Sequence, residues 1–375
     1  MIYLDYAASG VPFPECIERM GHIALEHYAN PGGLHDPAGE ARGLLHRCRR
    51  TMAGLLGVPD RSVFFTSGGT EANNWAVQLG CRPGEGKTIL VGATEHKSVL
   101  QPALAMKQLG YRVELLYPDK TGRIPPETVR TAITADTALL CIQAVNNETG
   151  TQQDIGEISR IARSCHVPFL CDAVQSFGHL ALPLNCADYV TLSAHKFGGP
   201  RGVGCLIARQ NCLPQPLIHG GGQELGLRSG TENLPGIAAM TLAAELSCAA
   251  LGEEQKRLSA LTALLFTGLR EAEPGLTVNG DPSRGHPGIL NCRFPGISGE
   301  ELTAKLDRKG ICVSPGAACG ARDSKPSHVL LAMGCSEVHA RESVRFSPGR
   351  NTTEEEILQT VAAVKEILIQ KRKER

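Results

Sequence analysis

One lysine in the sequence stands in a setting suited to covalent chemistry. Lys196 lies in the run SAHKFGG (193–199), directly after an apolar stretch that is typical of a buried strand. A strand end gives the amine a rigid support, and glycines let the backbone come close to a bulky ligand. A lysine held in this way can form an imine with a carbonyl compound. The pattern therefore favours a Schiff-base lysine over an ordinary exposed lysine in a loop.

An aspartate follows another apolar stretch upstream. The run VPFLCDAVQ (167–175) predicts a buried strand that ends at Asp172, with Gln175 three residues later. A carboxylate at this position can hold a protonated pyridine nitrogen, which pyridoxal phosphate needs if its ring is to take up electrons. Asp172 could equally be the N-cap of a helix, and these residues alone leave that alternative open.

A phosphate site is predicted where a strand, a glycine turn and a helix follow one another. The strand SVFFT (62–66) leads into SGGTE, and a helical pattern begins at Ala72. Free backbone N–H groups at a helix start bind anions, so we expect the cofactor phosphate on Gly69 and Thr70, with Ser193 and His195 as further donors. A nucleotide site at GEGKT (84–88) is disfavoured, because the first glycine of a Walker motif is replaced by Cys81.

Two further residues have types that suit an amino-acid substrate. Cys319 lies in a run with almost no large apolar side chain (314–327), so we expect an exposed, mobile loop rather than a buried thiol. Arg322 and Lys325 favour its thiolate, the nucleophilic form. Arg345 follows a strand residue in VRFS (344–347) and can clamp a carboxylate with two bonds, the alternative being a surface salt bridge.

The elements that carry these residues alternate between strand and helix. From Lys87 to Asp172 the alternation predicts an α/β fold with a mostly parallel sheet covered on both faces and ligands at the carboxyl ends of its strands. A helix is predicted over 12–28 with apolar positions at Ile17, Met20, Ile23 and Leu25, and one long helical stretch over 234–269. We predict a large domain over 13–252 and a small α/β domain formed by 1–12 and 253–375, which carries the cysteine loop.

Composition narrows the class of protein. The 375 residues include 38 basic and 38 acidic side chains, so bulk charge suggests no nucleic-acid partner. The sequence starts without a secretory pattern and has no membrane-spanning apolar run, so a cytoplasmic location is expected. No Cys-x-x-Cys pair occurs among the fourteen cysteines, which argues against a structural metal, and most are expected to be buried thiols.

The motifs resemble those of cysteine desulfurases of the NifS and IscS type, within the class V aminotransferase group of pyridoxal-phosphate enzymes. The resemblance covers almost the whole chain, and its motifs occur in the family's order: YLDYAAS, NPGGLH, FTSGGTEANN, TEHKSV, VNNETGTQQDI, DAVQSFGH, SAHKFGGPRGVG, HGGGQELGLRSGTEN, SPGAACG and VRFSPGRNTTEEE. It implies the fold type I of these enzymes, with a sheet of the seven-stranded type. The chain departs from the family at Gly32, Gly33 and Ala317, where relatives usually have serine.

The resemblance also implies roles for particular residues. His96 would stack on the pyridine ring and transfer protons, although a histidine after a strand can also be a cap or a surface residue. Asn147 and Gln175 would contact the cofactor's phenolic oxygen or the substrate, and Asn30 would belong to the substrate site. Thr231 would reach the phosphate from a partner subunit, which makes a homodimer the expected active unit.

The activity that the resemblance implies is conversion of L-cysteine to L-alanine, with a persulfide on Cys319 passed to a protein acceptor. The acceptor would be an iron–sulfur scaffold or a sulfur carrier, for iron–sulfur cluster biogenesis or tRNA thiolation, and Cys319 could transiently bind an iron–sulfur cluster. A selenocysteine lyase, a class V aminotransferase and a silent scaffold protein are alternatives, although the spacing from Cys319 to Ser327 resembles the long-loop desulfurases.

Overall fold

The computed structural model describes residues 1–81, 86–209, 215–315 and 325–373. Thirteen strands in these ranges form three sheets. The strands are β1 (Ile2–Tyr3), β2 (Val63–Thr66), β3 (Thr88–Gly92), β4 (Arg112–Leu116), β5 (Thr137–Cys141), β6 (Phe169–Asp172), β7 (Tyr189–Ser193), β8 (Gly204–Ala208), β9 (Thr277–Asn279), β10 (Leu290–Arg293), β11 (Ile311–Cys312), β12 (Ser314–Pro315) and β13 (Ser343–Phe346).

Twelve α-helices lie in the described ranges, and several short 3₁₀ turns join the elements. The helices are α1 (Pro14–Glu26), α2 (Asp36–Leu56), α3 (Gly69–Gly80), α4 (Lys97–Ala105), α5 (Pro126–Ala132), α6 (Ile155–Ser164), α7 (Leu234–Ala249), α8 (Leu251–Ala272), α9 (Gly299–Asp307), α10 (His328–Ala332), α11 (Glu337–Arg341) and α12 (Glu354–Lys373).

The largest sheet has seven strands in the order β2-β8-β7-β6-β5-β3-β4. Strand β8 runs antiparallel to both of its neighbours, whereas the pairs from β7 to β4 are parallel. Side chains alternate between two apolar layers: Leu140 packs in one core cluster and Leu139 and Cys141 in the other. Sheets covered on both faces have continuous apolar strands such as these, so the predicted mostly parallel α/β sheet is confirmed.

A second apolar core lies apart from the large sheet. Its members come from the first residues of the chain and from α8, α9 and α12, around the antiparallel sheet β12-β13-β10-β9. Strand β1 pairs in parallel with β11, and this brings Ile2 and Leu4 into that core. The proposed domain division at residue 252 stays a prediction.

Two predicted helices differ from the observed ones. In α1 the buried residues are Cys16 and Ile23, whereas Ile17 and Leu25 are 46% and 80% exposed. Residues 16 and 23 are seven apart and therefore share one helical face, which the other two do not.

The predicted single helix over 234–269 is two helices, α7 and α8, which meet at an angle of 72°. No single described helix is long and apolar enough to cross a membrane, although α7 and α8 together reach the necessary length and apolar content.

A buried ion pair fixes the glycine-rich segment around residue 224 to the edge of the large sheet. Arg49 Nη2 and Glu224 Oε1 are 2.6 Å apart, and the Phe65 backbone N–H donates to the same carboxylate at 2.9 Å. Both charged side chains are less than a tenth exposed. Glu224 and Leu225 adopt the left-handed conformation (φ 47° and 61°), which non-glycine residues take only when their surroundings impose it.

We expect the Glu224→Ala substitution to lower the free energy of unfolding by about 3–5 kcal/mol, because it leaves a buried arginine without its partner. Chemical denaturation of the purified variant measures this change. Glu253→Ala is the matched control, since Glu253 is exposed on α8 and should change the free energy by less than about 0.5 kcal/mol. Equal stabilities of the two variants would contradict the role given to the ion pair.

Candidate active site

The carboxyl ends of the parallel strands open into a cavity of about 280 Å³. Strand β6 ends at Asp172, β7 ends at Ser193, and the turns that follow β3 and β5 carry His96 and Asn147. The cavity collects ten of the sequence-predicted site residues. They are Gly69, Thr70, His96, Asn147, Asp172, Gln175, Ser193, His195, Lys196 and Arg345.

Lys196 ends the 3₁₀ turn that follows β7, and its side chain lies in the cavity. Its Nζ donates to the backbone carbonyls of Ala7 and Ala8, at 2.5 and 3.0 Å. The turn itself is held from behind, because His179 Nε2 donates to the Lys196 carbonyl at 2.8 Å. The amine therefore has the rigid backbone support that the sequence predicted.

Asp172 keeps its carboxylate buried, with 6% of the residue exposed. The Val174 backbone N–H donates to Oδ1 at 2.9 Å, and Asn73 Nδ2 donates to Oδ2 at 2.8 Å. Asn73 is fully buried, and its Oδ1 accepts from the Thr191 hydroxyl at 2.7 Å. Thr191 thus fixes the orientation of the Asn73 amide, and the amide fixes the carboxylate.

The same asparagine reaches the histidine on the opposite wall. Asn73 Nδ2 donates to Ser98 Oγ at 2.9 Å, and Ser98 Oγ lies 2.7 Å from His96 Nδ1. Because the serine oxygen accepts from Asn73, its own hydrogen is available to His96 Nδ1, which also accepts from the Ser98 backbone N–H. Nδ1 is therefore an acceptor, and the neutral ring carries its proton on Nε2.

The charge state of His96 agrees with that assignment. Burial lowers the pKa of His96, and the neighbouring Lys196 lowers it as well, although Asp172 acts in the opposite direction. The ring is therefore neutral at physiological pH. His96 is also the N-cap of α4, so the capping role weighed from the sequence is real and coexists with a place in the cavity wall.

The predicted phosphate site lies at the start of α3, which begins at Gly69 and not at Ala72. Its first N–H groups have no partner within the helix, as at any helix start. A Cβ atom on Gly69 would lie 2.7 Å from Val174 Cγ2, so only glycine fits between α3 and the strand ends. The helix start is fixed by Glu71, which pairs with Arg228 at 2.8 Å and accepts from Ser67.

These residues fit pyridoxal phosphate. Gln175 Oε1 is buried and lacks a hydrogen-bond partner within the described ranges, which leaves the side chain available to a ligand. Burial and the nearby Lys196 lower the pKa of His195 to about 4, so its neutral ring has one N–H to donate. A helix start for the phosphate, a buried carboxylate for the ring nitrogen and a lysine amine all lie in one cavity.

Arg345 reaches the cavity from strand β13 of the second core. Its Nη2 pairs with Asp5 Oδ1 and its Nη1 donates to the Asn147 carbonyl, both at 2.7 Å. The residue is 5% exposed, so its salt bridge with Asp5 lies in the interior and is not the surface salt bridge considered from the sequence. Nε of Arg345 is buried and has no hydrogen-bond partner in the described part of the chain.

Cys319 lies outside the described residues, but both flanks of its segment are defined. Ser314 and Pro315 line the cavity before it. After it, the Ser327 hydroxyl donates to Glu148 in the cavity wall. Burial raises the pKa of Glu148, and the bond from Ser327 acts against that shift. Glu148 was not among the predicted site residues.

Two predicted site residues are not in the cavity. Asn30 is exposed, and its side chain accepts from the Gly32 backbone N–H at 2.9 Å, so it closes its own turn instead of reaching a substrate within this chain. Thr231 is exposed as well and does not line the cavity. Asn73 and Ser98 were not predicted as site residues, although Asn73 lies in the FTSGGTEANN motif. The local sequence at each position does not indicate which distant side chain it contacts.

The serine between Asn73 and His96 can be tested on its own. Ser98→Ala removes a hydrogen bond to the neutral ring, so the pKa of His96 should rise toward its ordinary value of 6.5. Titration of ¹⁵N-histidine NMR signals, assigned with His96→Gln, measures this. Ser98→Thr keeps the hydroxyl and should keep the low pKa, and an unchanged pKa in Ser98→Ala would contradict the tautomer assigned here.

The fit at Gly69 predicts a loss of cofactor affinity. Gly69→Ala requires Val174, which lines the cavity, or the helix start to shift, and should weaken pyridoxal-phosphate binding by roughly tenfold or more, as overpacking does in a tight site. Equilibrium dialysis followed by absorbance measures the dissociation constant. Gly54→Ala is the control, because a Cβ there meets nothing within 4 Å, and equal affinities of both variants would contradict the fit.

The chain is similar in sequence to known pyridoxal-phosphate enzymes over almost its whole length. Residues 2–359 match the class V aminotransferase family. The chain is 36% identical over 99% of its length to cysteine desulfurase IscS of Clostridium botulinum, of which 95% is covered. It is 39% identical over 95% of its length to cysteine desulfurase IscS of Anaeromyxobacter dehalogenans, of which 89% is covered.

Solved structures are similar over the same length. A NifS-like protein superposes with a TM-score of 0.92 at 34% identity and covers 98% of this chain and 99% of its own. A structure described as SspA in complex with cysteine superposes with a TM-score of 0.81 at 32% identity, covering 94% of this chain and all of its own. The chain belongs to the class V aminotransferase family and, within it, to the pyridoxal-phosphate-dependent cysteine desulfurases of the NifS and IscS type.

Proposed function

We propose that this cysteine desulfurase transfers the substrate sulfur to Cys319. The residues that would bind the cofactor and the substrate and move protons are Lys196, Asp172, His96 and Arg345. The observation that carries the proposal is the cavity itself, into which the two cores bring a lysine, a buried carboxylate and an arginine. The related SspA binds cysteine, which supports L-cysteine as the amino acid that enters here.

The residues that line the cavity indicate which groups would bind each part of pyridoxal phosphate. Gly69, Thr70, Ser193 and His195 would take the phosphate, and Asp172 the ring nitrogen. Gln175 and Asn147 would face the phenolic oxygen, and His96 the ring. When bound, pyridoxal phosphate supplies a conjugated ring that takes up the electron pair released at the substrate α-carbon.

The chain's own side chains would then bind the substrate and move protons. Arg345 holds the substrate carboxylate, for which a planar guanidinium is well suited. Lys196 takes the α-proton and later returns a proton to the carbon skeleton. The neutral His96 can donate only at Nε2, because Nδ1 is occupied by Ser98.

The sulfur step needs Cys319 to reach the cavity. Pro315 lines the cavity, and Cys319 follows it by four residues, which can span up to about 14 Å when fully extended. The Cys319 thiolate attacks the substrate sulfur, an S–S bond forms and the C–S bond breaks, with its electron pair left on the carbon skeleton. Two protons complete L-alanine, and the persulfide stays on Cys319.

The acceptor, assembly and location are part of the same proposal. A protein acceptor, an iron–sulfur scaffold or a sulfur carrier for tRNA thiolation, would take the persulfide sulfur. A homodimer would explain why Thr231 is exposed and apart from its own cavity, since Thr231 of the partner subunit could then reach the phosphate. The described cysteines are free thiols, which is typical of a reducing compartment such as the cytoplasm.

A pulse of L-cysteine tests the sulfur step directly. Mass spectrometry of the holoenzyme should show one added sulfur atom on the Cys319 peptide, with L-alanine released. Cys319→Ser should release no L-alanine, whereas Cys165→Ser, which removes an exposed free cysteine, should behave as the unmodified chain. Equal alanine from Cys319→Ser, without added sulfur, would contradict the proposal and mean that the chain is a different pyridoxal-phosphate enzyme, in which the loop cysteine is incidental.

A further inference from the structure

A second cavity of about 130 Å³ lies behind the catalytic turn, on the other side of Lys196. Its walls come from both apolar cores: the segments around Phe13 and His179 belong to the large sheet's side, and those around His286 and Arg350 to the other. Its lining is largely apolar, with Phe13, Phe197 and Leu258 among the wall residues. Among the described residues, the first cavity and this one share the wall at Ala7, Gln175 and Lys196 and no others.

One unsatisfied donor in this cavity is a histidine. His286 is 6% exposed, and its Nδ1 accepts from the Gly288 backbone N–H at 3.0 Å. The neutral ring therefore carries its hydrogen on Nε2, which has no hydrogen-bond partner among the described residues. Burial and the adjacent His179 ring lower the pKa of His286, so the ring is neutral. A buried N–H without an acceptor is costly, and such groups are normally satisfied by water or a ligand.

The other unsatisfied donor is an arginine. Arg350 lies over the Phe13 ring, 3.5 Å from its centroid, and its Nη2 donates to the Pro12 carbonyl at 3.3 Å. Its Nη1 is buried without a partner, and the guanidinium forms no ion pair within the described part of the chain. The cavity's carboxylate, Glu254, is matched instead by Arg257 at 2.7 Å. Arg350 is thus a half-buried cation that forms no ion pair with any described residue.

We propose that this second cavity binds a small organic carboxylate, with its oxygens on Arg350 Nη1 and His286 Nε2 and its short apolar chain against Phe13 and Leu258. The volume equals about four water molecules, which fits an acid of a few non-hydrogen atoms. An anion satisfies both donors and balances the arginine, which water does only in part. This inference does not rest on the proposed sulfur step.

The bound acid would lie next to the support of the catalytic lysine. The His179 and His286 rings are 4.8 Å apart, and His179 holds the Lys196 carbonyl at 2.8 Å. The occupant would also contact both cores at once, because its two donors and its apolar wall come from different parts of the chain. Binding should therefore raise the thermal midpoint of the holoenzyme, as any ligand specific to the folded state does.

Calorimetric titration of the holoenzyme with propionate tests the site. Because propionate can also bind at Arg345, the decisive protein is Arg345→Met, which should still bind one propionate per chain. Adding Arg350→Met should weaken that binding by about tenfold or more, since a charge-assisted bond is lost. Arg308→Met, at an exposed arginine on the surface, should leave it unchanged.

Further variants and ligands in the same titration identify the bound acid and show whether each variant is folded. His286→Phe keeps the ring volume, removes the Nε2 donor and should also weaken binding, with circular dichroism to verify that each variant is folded. L-alanine binding to Arg345→Met that is lost when Arg350→Met is added would identify the reaction product as an occupant, and binding of propionate alone would identify an acid without an amine. Loss of all binding in Arg345→Met, unchanged binding in Arg350→Met, or chloride binding as tightly as propionate would overturn the proposal.

Discussion

Burial of the Asp172 carboxylate is the constraint on which the active site depends. A charged group can remain in an interior only when hydrogen bonds replace its water, and here two donors do so. One is a backbone N–H of its own turn. The other is the side chain of Asn73, which lies on helix α3 and is itself fully buried. The strand end, the helix start that carries the predicted phosphate site and the carboxylate are therefore held in one arrangement.

That arrangement explains why the opposite wall is ordered as well. Asn73 uses its second amide hydrogen on Ser98, and Ser98 in turn determines which nitrogen of His96 carries the proton. Thr191, in the neighbouring strand, closes the network. The Asp172 carboxylate and the His96 ring, on two sides of the cavity, are thus both oriented through the neutral side chain of Asn73. Each polar atom of that side chain forms a hydrogen bond. Partly satisfied networks of this kind would be costly in the interior.

The sequence was sufficient for the fold and for most of the cavity. Apolar strands alternating with helices predict the sheet, and strand ends meet at one edge, so Asp172, His96 and Lys196 could be assigned to one site. Contacts between distant positions could not be predicted. Asn73 and Asp172 are 99 residues apart, and Arg49 and Glu224 are 175 apart. Nothing local to either position in such a pair specifies its partner.

Local signals also failed where a pattern had two solutions. The stretch over 234–269 is helical apart from the bend at Ala250. Most residues of α7 from Leu234 to Ala244 are buried, whereas α8 has one apolar face, and that change of pattern was the available sign of the bend. Asn30 was expected at the substrate because of its motif, yet it closes a turn. An exposed position cannot be distinguished from a site position by residue type alone.

The central claim is that Lys196 is the residue to which the cofactor is attached. Borohydride reduction of the holoenzyme, followed by peptide mapping with mass spectrometry, tests it most directly. We expect the phosphopyridoxyl group on the peptide that contains Lys196. A label on Lys97, which is next to His96 at the opposite wall, or a label on no lysine, would show that Lys196 does not carry the cofactor.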